Sequence, residues 1–220
     1  MQRNSAMYDA VFFDLDGTLV DSERISMRTG AMAFAAQGFH DVDDLLHKMV
    51  GIDQNGSNEL ILQHCPGVNI RQLRHEWHSA FTKMEQTDLV LKPGAFDLVH
   101  GLARQMPVAL VTSTHRKPAL VRIKLAGLAS AFTAVITRDD VDQAKPAPEP
   151  YLLAAFKLGI APERGLVFED SETGSQAGQA AGMTVVQVPD MIPASGRFAH
   201  HVADSLMDGA RWAGIWHPVG

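Results

Sequence analysis

From residue 95 to residue 188 the chain repeatedly alternates between segments with helical spacing and short apolar runs, and this alternation restricts the fold more than any other feature. Residues 95–105 read as a helix and 108–111 as a strand. The pattern then continues with a helix at 117–125, a strand at 134–137, a helix at 149–158, a strand at 166–168, a helix at 172–181 and a strand at 184–188. Gly127, Gly159 and Gly182 follow three of these helices, where glycine readily takes the left-handed conformation that ends a helix. Helices and strands alternating at this spacing predict a parallel, doubly wound sheet. Residues 8–13 form one more short apolar run, which ends at Asp14 and reads as a buried strand of the same sheet.

Residues 22–90 break the pattern. Residues 23–36 are rich in Ala and Met at helical spacing and are stopped by Gly38. Asp43 and Asp44 are placed to cap a second helix running toward Val50, and 58–64 and 70–87 read as two more. With no clear strand, the stretch predicts an all-helical insert. The expected fold is therefore α/β, a doubly wound parallel sheet built from 1–21 and 91–220, with a helical unit inserted at 22–90.

Composition agrees with a folded domain and narrows its partners. Hydrophobic residues make up 46% and charged residues 20% of the 220, a balance typical of globular chains. The net charge is −6, from 19 basic and 25 acidic residues, with no basic block, so nucleic-acid binding has no electrostatic support. Such a chain binds an anion only where a metal, a lysine or helix N-termini make a locally positive site. The single cysteine, Cys65, has no internal partner, which fits a reducing cytoplasm, and it reads as a small packed hydrophobe. No apolar run reaches the roughly 18 residues of a membrane span, and residues 1–6 are polar, without the apolar centre of a signal peptide. The expectation is a cytoplasmic protein with neither membrane nor nucleic-acid partners, monomeric by default.

In open parallel sheets, ligands bind at the carboxyl ends of the strands. At those ends this chain carries Asp14-Leu15-Asp16-Gly17-Thr18, then Thr112-Ser113-Thr114, then a loop with Lys145-Pro146, then Glu169-Asp170. On an extended chain Asp14 and Asp16 would face one side, and Gly17 lets the backbone turn or approach a ligand closely. Four acids on one rim repel one another unless a cation is present. Their oxygen donors suit a hard ion such as Mg²⁺, and Lys145 can offset the remaining charge. A carboxylate beside Mg²⁺ and a lysine is suited to forming an aspartyl-phosphate.

These motifs, in this order, resemble the haloacid dehalogenase superfamily, and within it the branch of beta-phosphoglucomutase-like phosphatases and sugar phosphatases. The resemblance covers nearly the whole chain. It implies that Asp14 is a nucleophile and Mg²⁺ ligand. Asp16 would be the acid/base, with its backbone carbonyl on Mg²⁺. Thr112 and Lys145 would hold the transferring phosphoryl group. Asp170 would bind Mg²⁺, with Glu169 a ligand directly or through water. Ser113 and, in the insert, Gln54 are further candidate substrate contacts. The insert matches the position of the family's helical cap, which closes over the core, selects substrate and excludes water.

Asp16 also separates subtypes. The family's dehalogenases lack this second acid and need no Mg²⁺, and its phosphonate-cleaving members replace it. Related mutases carry a Thr and a His just after the first motif and an Arg in the cap. The corresponding positions here are Ser22, Ser26 and Gln54, which favours hydrolysis over mutation. Asp53, Gln54 and Asn55 are polar without a cation and suit a neutral or hydroxylated leaving group. The expected activity is Mg²⁺-dependent hydrolysis of a small phosphorylated metabolite, a sugar phosphate or a similar monoester. A beta-phosphoglucomutase-like sugar phosphomutase and a non-catalytic phosphometabolite-binding protein are the alternatives.

Other polar and aromatic positions have plainer readings. Asp170 sits where it could cap the helix that follows. Gly174, Gly178 and Gly182 recur at every fourth position, a spacing that lets a helix pack closely on a sheet. His75 and His78, and likewise His200 and His201, read as surface residues. Trp212 and Trp216, four apart on a possible helix, read as core packing. His115 and Arg116 are open between substrate contact and an exposed helix start.

Overall fold

A computed structural model describes residues 7–52 and 54–216. The polar start at 1–6 and Asp53 lie outside the described residues. The chain divides into two units, one containing the residues up to Val20 and from Leu91 onward, the other Asp21–Val90.

The first unit opens with β1 (Ala10–Phe13), all four residues buried. The chain then passes into the second unit, whose helices are α1 (Ser22–Ala36), α2 (Asp43–Met49), α3 (Gln54–His64) and α4 (Ile70–Asp88). It re-enters the first unit at Leu91, which forms an antiparallel bridge with Val20. The remaining elements are α5 (Ala95–Ala103), β2 (Val108–Val111), α6 (Arg116–Leu125), β3 (Ala134–Ile136), α7 (Glu149–Leu158), β4 (Gly165–Glu169), α8 (Glu172–Ala180), β5 (Thr184–Gln187), β6 (His201–Val202) and α9 (Leu206–Trp212).

The strands form one sheet in the order β3-β2-β1-β4-β5-β6, and every neighbouring pair is parallel. This is the doubly wound sheet that the alternation predicts. Because β1 lies between β2 and β4, the winding reverses beside it, and such a switch point opens a crevice at the carboxyl ends of the strands. One face packs Phe12, Val111 and Val167 with Tyr151 and Ala154 of α7 and Ala177 of α8. On the other, Phe13 stacks on Phe168, with ring centroids 5.1 Å apart. Burying each of these aromatic rings contributes about 2 kcal/mol. Gly178 of α8 lies where a Cβ would press on Val185 and Val167, and Gly209 where one would meet Val186 and Phe168. Both helices therefore sit close to the sheet.

Among its described residues the second unit contains no strand. Its core joins Phe34, Leu45, Leu46, Met49, Ile61 and Leu73. Cys65 is a buried free thiol in the same cluster. Asn69 caps α4 by accepting from the Gln72 N–H at 3.1 Å. The Trp77 ring lies against Gly30, where a Cβ would come within 2.6 Å, and its indole N–H donates to the Ser26 carbonyl at 2.9 Å. His75 and His78 are exposed.

Several local expectations change. The sheet has a sixth strand, too short for any alternation to mark it. His201 lies in it, half-buried and stacked on Trp212, while the His200 ring nitrogen takes the Val185 N–H at 3.0 Å. Trp212 is 45% exposed rather than core, whereas Trp216 packs against Gly101 of α5. Val42, not an aspartate, precedes α2, with Asp43 and Asp44 in its first turn. The helix after β4 is capped by Ser171, whose hydroxyl accepts from the Gly174 N–H at 3.0 Å, not by Asp170. No described helix is long and apolar enough to cross a membrane.

Candidate active site

Asp14 follows β1 directly, Thr112 follows β2, Glu169 ends β4 and Asp170 comes next. The sheet register places Phe13 beside both Leu110 and Phe168, so three strands deliver these groups to one edge. Lys145 arrives from the loop between β3 and α7. Its ammonium donates to Asp14 Oδ1 at 2.7 Å, to the Val111 carbonyl at 2.8 Å and to Glu169 Oε1 at 2.5 Å. The Lys145 and Glu169 side chains are only 5% and 1% exposed. Glu169 Oε1 also accepts from the Tyr151 hydroxyl at 2.7 Å, and its Oε2 from Ser171 at 3.2 Å. Gly174 makes room for this carboxylate, because a Cβ there would lie 2.0 Å from it.

One oxygen from each of Asp14, Glu169 and Asp170 lies within 4.8 Å of the other two. Thr18 donates to Asp170 Oδ1 at 3.4 Å, and the Gln187 side chain donates to the Asp170 carbonyl at 3.2 Å. Gly17 has a left-handed φ of 82°, and a Cβ there would meet Asp170 Oδ2 at 2.3 Å. Any side chain at position 17 would therefore strain the backbone and displace the carboxylate.

Three acids share this space with one ammonium, and the charge imbalance shows in the proton affinities of Asp14 and Asp170. Burial, then the charge of Glu169, pushes the Asp14 carboxyl up to about 8 against the pull of Lys145. Burial, then Asp14 and Glu169, pushes Asp170 up to about 9. Burial alone would lower the pKa of Lys145, but Asp14 and Glu169 reverse this and hold it charged. Burial, then Glu169, raises the Tyr151 hydroxyl well above its ordinary value, keeping it a donor. A divalent cation fits this donor set: it is all oxygen, convergent, buried and short of positive charge.

Asp16 has its own partners beside the three acids. Its Oδ2 accepts from the Thr114 hydroxyl at 2.6 Å and its Oδ1 from Arg122 Nη1 at 2.7 Å. Thr112 is buried, and its hydroxyl accepts from the Thr114 N–H at 3.0 Å. Ser113 is exposed. His115 pairs with Asp139, and Arg116 with Asp140, on the turn after β3. Gln54 is exposed in the first turn of α3, in the other unit.

Sequence reasoning did not single out Tyr151 or Arg122, and it placed Thr114 at a strand end without assigning it a role. Tyr151 stands at an apolar position of α7, and Arg122 reads as an ordinary basic residue in the last turn of α6. The distance of each from its partner along the chain conceals the contact.

Residues 11–188 match the haloacid dehalogenase-like hydrolase family. The chain is 31% identical over 184 residues to a validoxylamine A 7'-phosphate phosphatase of Streptomyces hygroscopicus subsp. limoneus, covering 82% of this chain and 85% of that one. It is 29% identical to the fructose-1-phosphate phosphatase YqaB of Escherichia coli K12, covering 82% of this chain and 96% of YqaB. A crystal structure of a family hydrolase from Deinococcus radiodurans R1, with bound phosphate and sodium, superposes with a TM-score of 0.82 at 30% identity, over 98% of this chain and all of that one.

Proposed function

The chain belongs to the haloacid dehalogenase-like hydrolases, in their branch of sugar phosphatases and beta-phosphoglucomutase-like proteins, and from this premise we propose that it hydrolyses a small phosphate monoester, a sugar phosphate or a similar hydroxylated metabolite, through an aspartyl-phosphate on Asp14. The observation that carries the reading is the buried contact of Lys145 with both Asp14 and Glu169. It fixes one carboxylate oxygen of Asp14 and leaves the other for attack, beside an ammonium that offsets part of the local negative charge.

In the first step an Asp14 oxygen forms a bond to phosphorus as the bond to the ester oxygen breaks. Asp16 gives that oxygen its proton. In the second step water attacks phosphorus, Asp16 takes the water's proton, and the acyl-phosphate bond breaks to free phosphate and Asp14. Lys145, with Thr112, offsets the charge of the transferring group. Asp14, Asp170 and the Asp16 carbonyl, with Glu169 directly or through water, would hold Mg²⁺, which supplies charge neutralisation of the phosphoryl oxygens. The helical unit at 22–90, with Gln54, acts as the substrate-selecting cap. A neutral, polar Gln54 suits a hydroxylated leaving group better than a second phosphate.

The test is phosphate release from 4-nitrophenyl phosphate and a sugar-phosphate panel with Mg²⁺. Release is expected, and it stops on chelation. An intact, Mg²⁺-loaded protein inert across the panel removes the reading.

The charge imbalance gives a second prediction, in stability. Metal-free, the fold holds protons on Asp14 and Asp170 that the unfolded chain releases near the ordinary carboxylate pKa of 3.8. The stability linked to these raised pKa values is fully present only below about 3.8, falls progressively as pH rises above it, and is gone once pH has passed about 8 to 9. Mg²⁺ takes the place of those protons. The gain in melting temperature on adding Mg²⁺ is therefore expected to be larger near pH 9 than near pH 6. An equal gain at both would mean that the ion binds elsewhere.

A further inference from the structure

We infer that Arg122 and Thr114 are positioning residues for Asp16, fixing the plane of its carboxylate so that it exchanges protons with the leaving oxygen and then with water; this rests on the phosphatase reading above. An aspartate carboxylate rotates in a broad, shallow well about its last torsion. Here both oxygens are tied. Thr114 donates to Oδ2 at 2.6 Å and Arg122 to Oδ1 at 2.7 Å. Arg122 Nη1 also lies 3.4 Å from the Thr114 hydroxyl, closing a triangle of the three side chains. Donors on both oxygens set the plane of the carboxylate.

The placement is not that of an ordinary helix-end arginine. A basic residue in a last turn usually reaches into solvent or back to its own helix carbonyls. The Arg122 side chain is 12% exposed and turned onto an acid 106 residues away in the chain. Thr114 is positioned in turn by its own backbone, whose N–H donates to Thr112. The strand-end turn after β2 thus carries both Thr112, the proposed phosphoryl contact, and Thr114, which holds the acid/base.

The test compares kcat/KM of Arg122→Ala and Thr114→Val with the unsubstituted enzyme on two leaving groups, with Mg²⁺ present. A sugar phosphate leaves as a strongly basic alkoxide and needs a proton, whereas 4-nitrophenolate barely does. If Arg122 positions the acid, the sugar-phosphate value falls by about 10- to 100-fold while the 4-nitrophenyl value falls by less than about threefold. Arg122→Lys restores part of the loss. In an Asp16→Asn background, Arg122→Ala adds nothing further, because the two act as one unit. Melting temperature and Mg²⁺ affinity by calorimetry are expected to stay close to the unsubstituted values. Equal losses on both substrates, or a full additional loss on top of Asp16→Asn, overturn the inference while leaving the phosphatase reading intact. Absence of hydrolysis by the unsubstituted enzyme overturns both.

Discussion

Asp14→Asn is expected to lower turnover by at least about 10³-fold in a protein that remains folded. The amide keeps the size of the side chain, and its oxygen can still accept from Lys145, which lies 2.7 Å from Asp14 Oδ1. On the proposed mechanism it lacks the anionic oxygen that attacks phosphorus, so no acyl-phosphate forms. The substitution should not loosen the fold. The Asp14 carboxyl is already pushed up to about 8, chiefly by burial, so an uncharged side chain is well accepted there. Metal-free Asp14→Asn should melt no lower than the unsubstituted protein above about pH 8, where the native aspartate ionises against Glu169 and Asp170. Two measurements check this. Acid-quenched mass spectrometry during turnover should find a phosphorylated chain only in the unsubstituted enzyme, and melting curves should show the variant intact. Turnover by Asp14→Asn near the native rate would falsify the covalent role.

What the sequence made legible was periodicity and strand-end chemistry. The helix–strand alternation predicted the parallel sheet, and Gly127, Gly159 and Gly182 all take the left-handed φ that ends a helix. Asp14, Thr112, Glu169 and Asp170 could be placed at one edge because topology alone puts strand ends there. The parts not legible are those settled by long-range packing. Asp170 and Ser171 are both good helix caps, and a local pattern cannot choose between them. Asp170 faces Thr18 and Gly17, and Ser171 is left to cap. Tyr151 looked like one more apolar position of α7, yet its hydroxyl is buried against Glu169. Strand β6 has two residues, below the length at which any period exists. The recurring glycines of α8 were legible as close packing, but not that Gly174 is small to admit a carboxylate while Gly178 is small to admit valines.

Lys145→Met is expected to be the most destabilising single change in the site as well as one of the most damaging to activity. The ammonium lies between Asp14 and Glu169 and is 5% exposed. Methionine fills much of the same space without charge, so the main effect is electrostatic, with little cavity formation. Glu169 keeps Tyr151 and Ser171 as donors, but neither offsets its charge. Removing one partner of a buried pair typically costs about 3–5 kcal/mol. In a chain of 220 residues this lowers the melting temperature by roughly 10 °C. The deficit should widen as pH rises, because the uncompensated acids ionise. Mg²⁺ should recover part of the stability by supplying positive charge to the same carboxylates. It should not recover turnover, which is expected to stay about 10²- to 10³-fold down, because the donor that fixes Asp14 and offsets the transferring group is gone. This split between stability recovered and catalysis not recovered distinguishes Lys145 from a residue that only holds the fold together. Were Mg²⁺ to restore both together, Lys145 would be a structural counterion, and the charge that assists transfer would have to come from the metal alone.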